Sequence, residues 1–209
     1  MSTASQEDPP PGAAGDGEVD QSRRNLLVAT CVAGGAATAA AAWPFLASME
    51  PSERARALGA PVEADISGLE PGTMMIVEWR GQPVWLLRRT PEMMATLSKD
   101  TAQLADPQSK RSIQPDYCQN EWRAREEKKD VLVAVGICTH LGCSPVARFA
   151  AADSGMGPGW LGGFLCPCHG SRFDLSARVF ANFPAPDNLT IPRYKYLSDQ
   201  RVVIGEDKA

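Results

Sequence analysis

The sequence reads Cys138-Thr139-His140-Leu141-Gly142-Cys143 at one point and Cys166-Pro167-Cys168-His169-Gly170-Ser171 at another, named here box 1 and box 2. Together the boxes contain both histidines of the 209-residue chain and four of its six cysteines. Thiolate and imidazole groups are ligands for soft or borderline metals, so their clustering predicts a metal centre held by two loops. Each box offers one cysteine, one histidine and one further cysteine.

The two boxes resemble the signature of Rieske iron-sulfur proteins, in particular the iron-sulfur subunits of ubiquinol-cytochrome c oxidoreductase. In that family the first cysteine and the histidine of each box bind a 2Fe-2S cluster. The resemblance therefore implies four metal ligands, namely Cys138, His140, Cys166 and His169. It also implies a disulfide between the remaining pair, Cys143 and Cys168, which would link the two loops and requires an oxidising compartment.

Mixed ligation by thiolate and imidazole has two chemical consequences. Two neutral imidazoles in place of two thiolates stabilise the reduced cluster, and Rieske centres lie at about −150 to +300 mV, against about −400 mV for plant-type ferredoxins. Each imidazole also retains a second ring nitrogen, whose proton is held more tightly when the cluster is reduced, so electron and proton uptake are coupled. A quinol suits such an acceptor, and the resemblance implies His169 as the quinol contact.

Residues around the boxes extend the resemblance. Ser171 matches a serine that donates a hydrogen bond to a cluster sulfur, and Leu141 matches an apolar residue that shields the cluster from water. Pro184-Ala185-Pro186 resembles the proline loop that covers the other side of the cluster. Phe173 stands where many members carry a tyrosine that hydrogen-bonds a ligand thiolate, so we expect a potential in the lower part of the quinol-oxidising range. Phe183 stands where a glycine is common.

The boxes also admit alternatives to a quinol-linked iron-sulfur centre. Paired cysteine and histidine form structural zinc sites, but zinc spacings commonly place two to four residues between paired ligands, and box 1 places one between Cys138 and His140. Structural disulfides alone would leave both histidines unexplained. A small subunit of an arsenite-oxidase-type molybdenum oxidase is the alternative function. A soluble Rieske ferredoxin conflicts with the spare cysteine in each box and with the N-terminal segment.

The N-terminal segment predicts a membrane anchor. Residues 26–49 contain no charged side chain and would span about 36 Å as a helix, enough for a bilayer core. Arg23 and Arg24 precede this stretch, as in a twin-arginine export signal. We expect a disordered cytoplasmic tail at 1–22, a signal anchor or transmembrane helix at 23–49 and a flexible tether at 50–61. A cleaved secretory signal is the alternative for this segment.

The remaining residues, 62–209, predict one mainly β head. The implied fold is a Rieske-type antiparallel β-sandwich with a small cluster-binding subdomain at about 137–187. Alternating or apolar runs predict six strands, at 73–79, 83–88, 131–137, 178–180, 189–196 and 201–204. Thr90-Pro91-Glu92 predicts the start of a helix. Residues 100–129 have no clear pattern, and 154–163 predict an irregular loop. Cys118 is expected to be an unpaired thiol, with pairing between molecules as the alternative, and Cys31 is expected to pack within the span.

These observations and the resemblance imply a respiratory electron carrier. It would take an electron from ubiquinol at a site formed with cytochrome b and reduce a c-type cytochrome subunit, within a dimeric complex. The expected location is the bacterial inner membrane, with the N-terminus in the cytoplasm and the head in the periplasm. A net charge of −4 with scattered basic residues argues against nucleic-acid binding.

Overall fold

The computed structural model describes residues 20–52 and 59–207, which belong to two separate units, 1–52 and 53–209. The predicted tail therefore lies outside the described residues, apart from its last three positions. The same holds for residues 53–58 of the predicted tether.

Within residues 20–52, the first unit forms helix α1 (Gln21–Ser48), of 28 residues. Asp20 caps it, because its carboxylate accepts hydrogen bonds from the backbone N–H groups of Ser22 at 3.0 Å and Arg23 at 3.3 Å. At 1.5 Å per residue the helix is about 42 Å long, and its length and apolar composition are sufficient to cross a membrane. All its side chains are exposed within this unit, including Cys31.

The second unit contains three antiparallel sheets of three strands each, and the mainly β prediction is confirmed. The first sheet has the order β1-β9-β8, with β1 (Val62–Asp65), β8 (Tyr194–Ser198) and β9 (Arg201–Ile204). The second has the order β2-β3-β4, with β2 (Met74–Trp79), β3 (Gln82–Arg88) and β4 (Val131–Val135). All five residues of β4 are buried, as its unbroken apolar run predicts.

The third sheet carries the chain into and out of box 2. It has the order β5-β6-β7, with β5 (Val146–Arg148), β6 (Gly163–Leu165) and β7 (Arg172–Phe173). Box 1 lies between β4 and β5, and box 2 is the connection between β6 and β7. Antiparallel pairing of β6 with β7, with Leu165 opposite Arg172, therefore fixes both ends of box 2.

A short helix and several irregular segments complete the described part of this unit, residues 59–207. Helix α2 (Pro91–Thr96) begins as predicted, with the hydroxyl of Thr90 accepting a hydrogen bond from the Met93 N–H at 3.2 Å. The predicted strand at 189–196 is wrong over 189–193, where Pro192 has no N–H to offer a ladder. Leu189 donates instead to the Ala177 carbonyl. Residues 178–180 form only isolated bridges.

Buried arginines organise the segment at 100–129, for which the sequence shows no clear pattern. Arg123 is fully buried and donates to the carbonyls of Ala177 at 3.0 Å and Leu189 at 2.7 Å. Arg89 donates to the Ser176 hydroxyl at 2.7 Å. Burial lowers the pKa of Arg89 and of Arg123 to about 10, so both remain charged at neutral pH. These contacts fasten the chain that follows box 2 to the rest of the head.

Candidate metal centre

Box 1 is a loop closed by its own backbone. The N–H of Cys138 donates to the carbonyl of Cys143 at 2.7 Å, and the N–H of Gly142 donates back to the carbonyl of Cys138 at 3.0 Å. Gly142 has φ of +83°, in the left-handed region that glycine adopts without strain. Within this loop Leu141 is exposed, whereas Thr139 and His140 are partly buried.

Box 2 repeats this backbone arrangement. The N–H of Cys166 donates to the carbonyl of Ser171 at 2.8 Å, and the N–H of Gly170 donates to the carbonyl of Cys166 at 3.0 Å. Gly170 has φ of +75°. Because the two loops share one hydrogen-bond pattern, Cys138 and Cys166 occupy equivalent positions at their bases.

The four predicted ligands form two pairs. The thiols of Cys138 and Cys166 are unpaired with any cysteine, and each residue is only 2% exposed. The rings of His140 and His169 lie with their centroids 4.8 Å apart and are nearly perpendicular, at 85°. His169 is exposed and His140 is partly buried. The structure thus brings two sulfurs together in the interior and two imidazoles together towards solvent.

The spare cysteines of the boxes, Cys143 and Cys168, are joined by a disulfide. The sulfur atoms of Cys143, Cys166 and Cys168 lie within 4.8 Å of one another. This trio is not a metal site, because the disulfide removes two of its three possible thiolates. The bond instead links the two loops beside the proposed ligands, across a sequence separation of 25 residues.

Ser171 lies beside the Cys138 thiol and is fully buried. Its hydroxyl oxygen accepts a hydrogen bond from the N–H of Ala185 at 3.0 Å, which leaves the hydroxyl proton available to a sulfur. Burial raises the pKa of the Cys138 thiol, while the His140 backbone N–H and the Ser171 hydroxyl oppose that rise and the Cys166 thiol adds to it. Since metal-bound cysteines are deprotonated, iron would replace these thiol protons.

The other predicted site residues surround this group. Leu141 is 71% exposed at the tip of box 1. Phe173 is fully buried and pairs across the strands with Phe164. Pro184 and Pro186 are exposed, whereas Ala185 between them is buried. The proline loop, residues 184–186, therefore points its backbone at Ser171 and its prolines at solvent.

Thr139 is a site residue that the sequence alone did not single out. Its hydroxyl donates to the carbonyl of Asp187 at 2.6 Å and so connects box 1 to the end of the proline loop. Its place between two proposed ligands was the available signal. The segment between the boxes was predicted as irregular, which is correct, but Met156 and Trp160 within it are buried against Phe180.

Comparisons with known proteins find two matching family models and several relatives. Residues 13–52 match the model described as "Ubiquitinol-cytochrome C reductase Fe-S subunit TAT signal", and residues 107–195 match the Rieske 2Fe-2S domain. The ubiquinol-cytochrome c reductase iron-sulfur subunit of Allochromatium vinosum is 57% identical over 186 residues, covering 89% of each chain. That of Bradyrhizobium diazoefficiens is 38% identical over 207 residues, covering 98% of this chain and 100% of the relative.

A solved structure, described as a hyperthermophilic respiratory Complex III, is also similar. It is 26% identical, with a TM-score of 0.44, and the match covers 85% of this chain and 98% of that one. The signal match and helix α1 together mark an exported, membrane-anchored subunit.

The donor chemistry of the boxes fits a Rieske-type 2Fe-2S cluster. Two buried thiols and two adjacent imidazoles would supply two sulfur and two nitrogen ligands, and the boxes contain no carboxylate. The residues carrying these groups lie in the Rieske domain match. Sequence identity over nearly the whole chain, the match to a Rieske domain and the paired donors lead to one conclusion: this chain belongs to the family of ubiquinol-cytochrome c reductase iron-sulfur subunits.

Proposed function

We propose that the chain carries single electrons from ubiquinol to a c-type cytochrome as the iron-sulfur subunit of a ubiquinol-cytochrome c reductase. The observation that carries this proposal is the exposed imidazole of His169 beside that of His140, above two buried thiols. A redox group in this position is insulated from water on its sulfur side and accessible on its nitrogen side. The relatives' names support the overall reaction.

Four residues would hold the cluster, namely Cys138, His140, Cys166 and His169. The bound cluster supplies a one-electron acceptor whose potential is raised by its neutral nitrogen ligands. The disulfide between Cys143 and Cys168 holds the loops together. Ser171 offers its hydroxyl proton to a sulfur, which stabilises added negative charge.

His169 has a second role in this proposal. Its exposed ring can meet a quinol hydroxyl, and the ring nitrogen that does not bind iron can accept a hydrogen bond from it. The same nitrogen then holds the proton that leaves the quinol with its electron. Leu141, exposed at the tip of box 1, would exclude water from this contact.

The proposed surroundings follow from the family and from helix α1. The partners are cytochrome b, a c-type cytochrome subunit and ubiquinol, in a dimeric complex. The helix would cross the bacterial inner membrane with its N-terminus in the cytoplasm, since Arg23 and Arg24 lie at that end. The head would then lie in the periplasm, an oxidising compartment in which the disulfide of the boxes is stable.

Electron paramagnetic resonance of the purified, chemically reduced protein tests the proposal. We expect a 2Fe-2S signal with a low average g in the wild type and its loss in Cys138→Ser and His169→Ala. Cys118→Ala is the matched control, because Cys118 is a buried free thiol outside the boxes and its removal should leave the signal intact. Stoichiometric zinc without this signal would refute the redox function.

Copurification tests the assembly. We expect b-type and c-type haem to accompany the chain when it is isolated from its own membranes in mild detergent. A molybdopterin-containing partner in their place would support the arsenite-oxidase-type alternative instead.

A further inference from the structure

The proline loop is held from one side by Arg111. Its guanidinium Nη2 donates to the carbonyl of Pro186 at 3.0 Å, and its Nε lies 3.8 Å from the carboxylate of Asp187. Arg111 comes from a turn that Asp106 organises, since the Asp106 carboxylate accepts from the backbone N–H of Arg111 at 3.1 Å and from the hydroxyl of Ser112 at 2.9 Å. The guanidinium is therefore presented by a fixed backbone, although its side chain is 60% exposed.

Arg172 holds the loop from the other side. It follows Ser171 directly, and its guanidinium lies 5.2 Å from the ring centroid of Phe183, the residue before the proline loop. This distance permits a cation–π interaction. The Nη1 atom of Arg172 also donates to the carbonyl of Met156 at 3.0 Å, so the guanidinium is fixed by a buried residue of the segment between the boxes.

The loop between these two arginines makes the contact that orients Ser171. Pro184 and Pro186 have no N–H, so Ala185 is the one residue of the proline loop with a backbone donor. That donor is bonded to the hydroxyl oxygen of Ser171 at 3.0 Å. A shift of the loop by a few tenths of an ångström weakens this bond and frees the hydroxyl to rotate away from the thiols.

We infer that Arg111 and Arg172 are positioning residues that hold the proline loop against Ser171 and thereby set the electron affinity and solvent exposure of the cluster site. The inference rests on the proposed ligand set. Neither arginine touches a proposed ligand side chain in a hydrogen bond that the structure describes; both act through the loop. Their effect is therefore one of position, which is separable from the effect of their charge.

Because Arg111 and Asp187 carry opposite charges, variants of the two residues distinguish an effect of loop position from an effect of charge. If charge alone matters, Arg111→Gln removes a positive charge and lowers the electron affinity, whereas Asp187→Asn removes a negative charge and raises it. If the pair positions the loop, both variants lower it. We expect about a threefold loss in each, equivalent to a fall of about 28 mV since 59 mV is tenfold for one electron.

Phe183→Leu applies the same test on the other side without changing charge. We expect it to lower the electron affinity of the cluster about threefold. The double variant Phe183→Leu with Arg172→Gln should have the same electron affinity as Arg172→Gln alone, because both changes break the same contact. The control is Arg148→Gln. Arg148 lies on β5, in the same sheet as Arg172, and its guanidinium pairs with the carboxylate of Asp153. The midpoint potential of this control should shift by less than a third of the shift expected for Phe183→Leu.

Two readouts on the full-length protein in detergent test both sides of the loop. Redox titration followed by paramagnetic resonance gives the electron affinity, and relaxation of the cluster signal by a water-soluble gadolinium chelate gives its solvent exposure. We expect the chelate effect to grow about twofold in Arg111→Gln, Asp187→Asn and Phe183→Leu.

Absence of the cluster signal in the wild type would overturn the proposed function itself. A normal signal with shifts of opposite sign in Arg111→Gln and Asp187→Asn, or with no shift in Phe183→Leu, would overturn this inference alone. Should Arg172→Gln fail to accumulate, the charge-neutral Phe183→Leu still decides its side of the loop.

Discussion

The indole of Trp85 stacks on the ring of Phe164, with centroids 4.6 Å apart and planes inclined by 19°. Trp85 lies on β3 of the second sheet and Phe164 on β6 of the third, so this contact joins the second sheet to the one that carries box 2. Both residues are almost fully buried. Because β6 ends immediately before box 2, the stacked pair anchors the base of the proposed metal centre.

Gly136→Ala should disturb this anchor. A Cβ atom at Gly136 would lie 2.2 Å from Cε2 of Trp85, so the indole would have to move in a packed core. We expect a loss of about 2 kcal/mol of unfolding free energy, measured as a fall of several degrees in melting temperature. Gly68→Ala is the control, since a Cβ there meets nothing within 4 Å. Equal melting temperatures for the two variants would contradict the prediction.

Removal of the disulfide should loosen the two boxes. For a loop closed across 25 residues, chain-entropy arguments give roughly 3 kcal/mol of stabilisation. We expect Cys143→Ala combined with Cys168→Ala to lower the melting temperature and to increase the rate of iron loss during dialysis against a chelator. Cys31→Ala should match the wild type in both measurements, because Cys31 lies outside the head. Unchanged iron retention in the double variant would show that the bond is dispensable.

Phe173→Tyr should raise the midpoint potential. An added hydroxyl can donate a hydrogen bond to a ligand thiolate and stabilise the reduced cluster, and we expect a rise of about 30 to 60 mV, a three- to tenfold change in electron affinity. Phe180→Tyr is the control, because Phe180 packs with Trp160 in a separate small cluster. A redox titration in which the potential of Phe173→Tyr is unchanged or lowered would refute this prediction.

Because of Asp100, the free energy of unfolding should fall as the pH rises from mildly acidic to alkaline values. Burial raises its pKa to about 6, Asp174 adds to the rise and Arg178 opposes it, and its Oδ1 has no partner among the described residues. The folded state therefore binds this proton more tightly than the unfolded chain. The resulting stabilisation is complete below about pH 4 and is lost as the pH rises through 6.

Asp100→Asn checks this assignment, because it cannot ionise. Between pH 5 and pH 8 the wild type should lose on the order of 1 kcal/mol relative to Asp100→Asn. Melting temperatures of both proteins at the two pH values measure the difference. If the melting temperatures of the two proteins changed in parallel with pH, Asp100 would not be the group that binds this proton.

Much of this molecule was predictable because its chemistry is local in sequence. Each box places its proposed ligands within six residues, and the start of helix α2 is set by the Thr90 hydroxyl and the proline beside it. Apolar runs at β3 and β4 gave strands within two residues of their observed ends. The identity of the four ligands and the covering role of the proline loop remain predictions.

The remainder depended on contacts between residues far apart in sequence. Arg123 donates to carbonyls 54 and 66 residues further on, and nothing in its immediate neighbours marks it as a core residue. The strand expected at 189–196 does not extend over 189–193. Apolar residues there are buried by loop contacts, and Pro192 has no N–H for a strand ladder. Arg111 and Arg172 are likewise brought to the proline loop by tertiary packing, which no short sequence pattern encodes.

The matched backbone rings of the two boxes have a consequence for the speed of electron transfer. Each ring closes through its own amide hydrogen bonds, and a covalent bridge joins the pair, so the proposed ligand cage would exist before any electron arrives. A cage held in this way relaxes little when one charge is added, and little reorganisation means a low barrier in both directions. Such a cage is suited to a carrier that gains and loses single electrons frequently and reversibly.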